Sequence, residues 1–395
     1  MIQSNPGPLE NVRVLDLSRV LAAPYATMAL GELGADVIKI ERTPDGDETR
    51  HWGPPFVSGE ATYFLGINRN KRSIALDLRQ REDQARVRDL ALSWADVVVE
   101  NFRPGTLERW GLGLKQLRQE NPRLITASVR GYPAGDDRPG YDFVIQAGSG
   151  LMSITGPEEG PPFKVGVAVS DITTGLFLVG GITAALYRRE RTGRGDHVEV
   201  SLWGSQLAQL ATVVQGVLST GATPRRFGNA HGQLTPYQIF PSSDGWIAVG
   251  VGNDNQFAIL CRALGHPEWG QDPRFRTNPD RVNHRDALDD VLSLAFQRRS
   301  TKEWVRALEQ AGLPSGPVRT VPEALDHAAE RGHDVVGMVP HKTLGDLPQV
   351  RLPWKFDQAS ADMMTGPPLV DQHRDEILAL IEQIRRPRKD ESQYE

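Results

Sequence analysis

From residue 12 to residue 42 the chain reads VRVLDLSRVLAAPYATMALGELGADVIKIER. An apolar run leads into a loop, then an amphipathic stretch, then a second apolar run closed by Glu41 and Arg42. Short β-branched runs recur at Val12–Leu17, Val37–Glu41, Val97–Glu100 and Leu124–Ser128. The segment REDQARVRDLALSWAD carries apolar residues at helical spacing between two of them. Strands alternating with helices predict an α/β, Rossmann-like domain whose parallel sheet is covered on both faces.

Residues 171–189, DITTGLFLVGGITAALYRR, are apolar on nearly every face, with Asp171 suited to the N-cap and arginines at the far end. This predicts a buried helix. GDHVEVSLWGSQLAQLATVVQGVL then reads as a strand followed by one helix. Turn formers dominate residues 215–235, and YQIFPSSDGWIAVGVG predicts a hairpin turned at Asp244-Gly245. Helical segments follow to about residue 312. The domains are therefore expected at 1–220, a large first segment, and 225–330, a smaller α+β domain. Residues 331–395 hold short strands such as VRLPWKF, a charged helix and a polar tail expected to be disordered.

Composition narrows the function. The 395 residues carry a formal net charge of −5, with no concentrated basic surface to attract nucleic acid. The lone cysteine, Cys261, rules out an internal disulfide and suits a small buried side chain in a reducing compartment. No signal peptide is evident and no apolar run approaches the roughly 20 residues of a membrane span. The expectation is a cytoplasmic protein without a membrane partner.

The opening unit is built like a dinucleotide site, yet its first turn, Ser18-Arg19-Val20-Leu21-Ala22-Ala23-Pro24, lacks glycine. Side chains there would keep a pyrophosphate off the backbone. No P-loop and no G-x-S-x-G elbow is present, and the nine histidines are scattered without metal-ligand spacing, so no metal site is expected. What remains is a set of arginines at strand ends: Arg19, Arg42, Arg103, Arg109 and Arg138. Guanidinium groups outside the carboxyl ends of parallel strands suit a phosphate-bearing carrier gripped by side chains.

Those residues lie within motifs that resemble the class III CoA-transferases, the formyl-CoA transferase and carnitine CoA-transferase group. The matching runs are VLDLSRVLAAPYATMALGELGADVIKIER, NRNKRSIALDL, ADVVVENFRPGTLERWGLG, GYDFVIQAGSGLMSITG, VGVAVSDITTGL and ERTGRGDHVEVSL. GDETRHWGPPF, GNAHGQLTPYQIF and GLPSGPV further resemble its succinate–glutarate branch. The resemblance implies Asp171 as a covalent nucleophile that carries CoA from succinyl-CoA to a dicarboxylate such as glutarate. It implies CoA contacts from Val20, Leu21, Ala22, Arg42, Leu76, Asn101, Phe102, Arg103, Arg109 and Arg138. Tyr141, Asp142, His231 and Gln233 become candidates for contacting the acid. CoA and acyl-CoA are then substrates, with no resident cofactor. The resemblance also implies an interlocked-ring homodimer whose large domain takes back the C-terminal segment.

Two alternatives stay open at this stage. The same fold hosts 2-methylacyl-CoA racemases, whose catalytic histidine would fall at Tyr141, a poor proton acceptor at neutral pH. A CoA-binding protein without turnover is the other.

Overall fold

The computed structural model describes residues 6–386; the polar tail expected to be disordered lies largely outside the described residues. Six strands, β1 (Arg13–Asp16), β2 (Asp36–Arg42), β3 (Lys71–Leu76), β4 (Val97–Glu100), β5 (Ile125–Arg130) and β6 (His197–Ser201), form one sheet in the order β3–β2–β1–β4–β5–β6. Every pairing in it is parallel. This doubly wound order places a topological switch point between β1 and β4, where ligands of such sheets bind.

Helices cover both faces, which is why strands such as Val97–Val99 are apolar without alternation. On one face α1 (Ala22–Glu32) and α5 (Val169–Thr192) share a core with Val14, Val97 and Ile125. On the other, α2 (Arg81–Ser93), α3 (Leu114–Glu120) and the C-terminal α6 (Arg374–Arg385) pack on Leu15, Ile38 and Val98. A short helix, α4 (Asp142–Gly148), precedes α5. Gly175 lets α5 approach α1 closely, since an added Cβ would sit 2.7 Å from the Ala22 carbonyl oxygen.

Five expectations need correction. The helix around residues 171–189 begins at Val169, so Asp171 lies within its first turn and is not the N-cap. That helix is also not buried all round: Leu176, Phe177 and Tyr187 are 46%, 47% and 66% exposed. By length and composition it would suffice to cross a membrane, contrary to the reading that no run is long enough, but its other face packs in the core described above. The single helix expected after β6 is two, Leu202–Gln209 and Ala211–Thr220, broken where Ala211 takes a φ of 33°. VRLPWKF is largely irregular beyond Val350; the strands of this region are Val336–His341 and Gly345–Val350.

The chain divides into two units, residues 1–151, 165–220 and 334–395 forming one and residues 152–164 and 221–333 the other. Residues 152–164, placed by sequence in the first segment, thus belong to the smaller unit. Arg226 holds them there, donating to the carbonyls of Pro157, Glu158 and Gly160. The smaller unit is a three-stranded antiparallel sheet of Ser315–Pro317, Trp246–Gly250 and Tyr237–Pro241. Its helices Asp254–Leu264, Arg285–Phe296 and Thr301–Gln310 share a core with Phe240 and Cys261, and burial pushes the Cys261 thiol up to about 12.

In the larger unit a cluster of charges is buried beneath the carboxyl ends of β1 and β2. Lys71 Nζ donates to Asp16 Oδ2 at 3.0 Å, the Pro24 carbonyl at 2.9 Å and Asn68 Oδ1 at 2.9 Å. Lys39 pairs with Asp47 at 3.0 Å, and Arg50 with Glu41 at 2.7 Å. Burial opposes ionisation of Asp16, but Lys71 and Lys39 outweigh it and hold its pKa below the ordinary value. Replacing Lys71 by Met strands the Asp16 carboxylate, at a cost of about 3–5 kcal/mol. Urea unfolding at neutral pH should show that loss, and Lys71→Met/Asp16→Asn should be less destabilised than the single variant.

Candidate functional site

A cleft of about 570 Å³ opens at the switch point of the larger unit. Its walls are the loop after β1 (Arg19–Ala22), the loop after β4 (Asn101–Gly105) and the loop after β5 (Gly131–Tyr141), with Asp171 beside them. Val20 adopts a φ of 70°, a left-handed conformation uncommon for a β-branched residue. Neighbours on both sides hold it there. Asn101 brackets Arg19, accepting from its N–H at 3.0 Å and donating to its carbonyl at 2.7 Å. Below, Lys39 donates to the Ser18 carbonyl at 2.7 Å and Asp47 accepts from Val20 N–H at 3.4 Å. The third loop is pinched at its neck by Gly131 and Gly140, where a Cβ on Gly140 would lie 2.5 Å from Gly131 Cα.

Asp171 lies at a helix start that Asp142 shapes. Asp142 Oδ1 accepts the Ser170 N–H at 2.8 Å, capping α5 from the neighbouring helix, and Oδ2 accepts from Gln146 at 2.7 Å. Ser170 is itself buried, with its hydroxyl donating to Gln206 at 2.6 Å. Burial and then the like charge of Asp142 push the Asp171 pKa up to about 7. The helix terminus favours the anion, but desolvation and Asp142 override the dipole. Tyr63, in the short helix Thr62–Leu65, is pushed up to about 12 by burial and then by Asp171, Asp142 and Asp47. Its phenol stays protonated near that charge, its ring edge-on to Trp52 at 5.1 Å.

Of the residues singled out by sequence, Arg19, Val20, Leu21, Ala22, Asn101, Phe102, Arg103, Arg138, Tyr141 and Asp171 line this cleft. Arg42, Leu76, Arg109 and Asp142 do not. Arg42 pairs in register with buried Leu76 and reaches Asp45 at 3.4 Å, and Arg109 donates to Thr106. Arg138 is held by Asp136 and lies 4.2 Å from the Tyr132 ring centroid. His231 and Gln233 belong to the smaller unit, where Arg285 donates to the His231 carbonyl at 2.8 Å and Asn278 to the Gln233 carbonyl at 2.9 Å. Sequence reasoning passed over Glu48, Lys115, Arg118, Arg130, His197 and Glu199, all of which line the cleft. Lys115 and Arg118 look in sequence like the solvated face of an ordinary helix, and only the fold turns them toward this cleft.

The three-loop cleft of a doubly wound sheet, with a hydrophilic wall and a desolvated carboxylate, stands where enzymes of the α/β class bind their ligands. A model of CoA-transferase family III matches residues 9–374, and the chain belongs to that family: it is an enzyme that transfers CoA. It is 43% identical over 378 residues to the succinyl-CoA:glutarate CoA-transferase of Mus musculus, covering 94% of this chain and 86% of that protein. Identity to the succinate–glutarate CoA-transferase of Agrobacterium fabrum is 40% over 390 residues, 96% of this chain and 97% of that one. An acetyl-CoA:oxalate CoA-transferase of Acetobacter aceti is 41% identical over 322 residues, 80% of this chain and 82% of that protein. Among solved structures, a CaiB/BaiF family protein of Brucella suis superposes with a TM-score of 0.84 at 38% identity, covering 96% of this chain and all of that one.

The raised pKa has a measurable cost. Asp171 is protonated in the fold until pH passes about 7, whereas an unfolded aspartate ionises near its ordinary value of 3.8. The stability it contributes is therefore complete below the lower value and lost as pH rises through the higher one. Asp171→Asn should gain stability over the wild type across that window, reaching on the order of 2–4 kcal/mol above pH 8. Urea midpoints at several pH values would test this; a gap that does not vary with pH would contradict it.

Proposed function

We propose that this enzyme moves CoA from succinyl-CoA to a small dicarboxylate of the glutarate type, with Asp171 as the nucleophile. The observation that carries the assignment of Asp171 is its half-buried carboxyl in the cleft wall, made more basic by burial and by Asp142. The substrate pair rests on the succinate–glutarate relatives, about 40% identical over nearly the whole chain.

In the proposed reaction an Asp171 oxygen attacks the succinyl thioester carbonyl. The carbon–sulfur bond breaks, leaving a succinyl–aspartyl anhydride and CoA thiolate. The thiolate attacks the aspartyl carbonyl, releasing succinate and forming an aspartyl–CoA thioester. Glutarate attacks that thioester, expelling the thiolate and giving a glutaryl–aspartyl anhydride. Thiolate attack on the glutaryl carbonyl then yields glutaryl-CoA and restores the Asp171 carboxylate. Each step exchanges one acyl bond for another, so no external energy source is required. Removing Asp171 from water strips it of hydration that would otherwise have to be shed before attack. Val20–Ala22, Asn101, Phe102 and Arg138 are assigned to hold CoA, and Tyr141 to contact the acid.

The exposed apolar residues Leu176, Phe177 and Tyr187 on α5, with Phe143 and Val144 on α4, suit coverage by a second copy of this chain. We therefore assign a homodimer. Buried Cys261 fits the reducing environment of the cytoplasm.

Mixing succinyl-CoA with free acids and following CoA exchange by mass spectrometry tests the reading. Exchange onto glutarate is expected, with Asp171→Ala reducing it at least about 10⁴-fold. Deuterium entering a 2-methylacyl-CoA, with no exchange onto any acid, would favour the racemase instead. The acidic limb of kcat/KM should fall near pH 7, and Asp142→Asn, which keeps an acceptor for Ser170, should move it to lower pH.

A further inference from the structure

Two fully buried glutamines stand beside the start of α5, and neither takes part in the reaction as proposed. Gln206, in the helix Leu202–Gln209, accepts the Ser170 hydroxyl at 2.6 Å and donates to Gln209 at 2.8 Å. Gln146, in α4, donates through Nε2 to Asp142 Oδ2 at 2.7 Å. Its Oε1 accepts the Val165 N–H at 2.9 Å, and Nε2 also reaches the Val167 carbonyl at 3.4 Å.

The orientation of the Gln146 amide is not free. A backbone N–H can only donate, so Val165 requires the amide oxygen on its side. The NH2 group must then face Asp142 and the Val167 carbonyl. Val165 is where the chain re-enters the larger unit after residues 152–164, and α5 opens at Val169. Asp142 and Gln146 are one helical turn apart on α4, which brings both side chains to one face. One side chain thus clamps both Asp142 and the segment that leads into the nucleophile helix. A glutamate could not replace it, since it would set a like charge against Asp142 where the amide sets a donor.

We propose that Gln146 is a positioning residue for Asp171, acting through Asp142 by holding that carboxylate against the start of α5. The inference rests on the reading of Asp171 as the nucleophile and deepens it. Gln146 does not line the cleft, so its influence passes through its neighbours. Of the titratable groups, Asp142 faces Asp171 from α4 and Tyr63 from the helix Thr62–Leu65, and Tyr63 also feels Asp47. The like charge of Asp142 makes Asp171 more basic. A half-buried carboxylate that loses its hydrogen-bond donor is costlier to keep charged, so removing Gln146 weakens that charge. Asp171 then holds its proton less firmly.

The pH dependence of kcat/KM for CoA exchange from succinyl-CoA to glutarate tests the clamp. Gln146→Met removes the donor at nearly the same length, and the acidic limb should move down by about half a pH unit or more. The double variant Gln146→Met/Asp142→Asn should titrate where Asp142→Asn alone does, because Gln146 has no other route to Asp171. Gln206→Met, equally buried beside the same helix start, should lower the urea midpoint and leave the limb in place. A limb unmoved by Gln146→Met, or moved as far by Gln206→Met, would overturn the proposal. So would shifts of the two single variants that add in the double. Gln146→Asn keeps the amide but withdraws it by one methylene; it should shift the limb in the same direction, and it serves should the Met variant fail to fold. If Asp171→Ala still exchanges CoA, the nucleophile reading itself fails, a result distinct from any shift of the limb.

Discussion

The site depends on charges buried beneath the loop that replaces a glycine-rich turn. Lys39, Arg50 and Lys71 are matched by Asp16, Glu41 and Asp47, each cation paired within 3.0 Å. Such pairs return little net stability, because desolvation offsets most of the Coulomb attraction. What they provide here is position. Lys71 joins β3 to Asp16 on β1 and to the Pro24 carbonyl in the first turn of α1. Lys39 and Asp47 meet the Ser18 carbonyl and the Val20 N–H from below. A loop of ordinary side chains is thereby held in a shape that glycine would otherwise supply, with Arg19 and Leu21 facing the cleft.

The same economy governs Asp171. Asp142 supplies the acceptor that ends α5 and the like charge that keeps the Asp171 proton bound to higher pH. A plain N-cap within α5 would give the first effect without the second. The fold gives up stability at neutral pH for a carboxylate that is both desolvated and basic, as catalytic groups commonly do. Gln146 orients Asp142, and Gln206 takes the Ser170 hydroxyl, so this helix start is fixed from two neighbouring helices.

The exposed apolar side of α5 shows why sequence alone misread that helix. Leu176, Phe177 and Tyr187 are as apolar as Leu178, Val179 and Ile182, but only the second group meets this chain's own core. An all-round apolar helix reads from its sequence as buried on every side. The hydrophobicity was legible; its allocation between the core and an outward-facing surface was not.

The sequence by itself determined the α/β class, the strands of the switch point, three of the cleft's arginines (Arg19, Arg103 and Arg138) and Asp171 within its motif. These are local matters: strand and helix periods, and residues a few positions apart. Only the tertiary structure decided that Asp142 touches Ser170 across two helices, that Arg42 and Arg109 stand away from the cleft, and that Lys115 and Arg118 belong to it. It also gave residues 152–164 to the smaller unit through the carbonyls that Arg226 gathers. The reason is physical. Pairing of charges, desolvation of a carboxyl and the lining of a cavity depend on distances between residues far apart in the chain, and no periodicity encodes those distances.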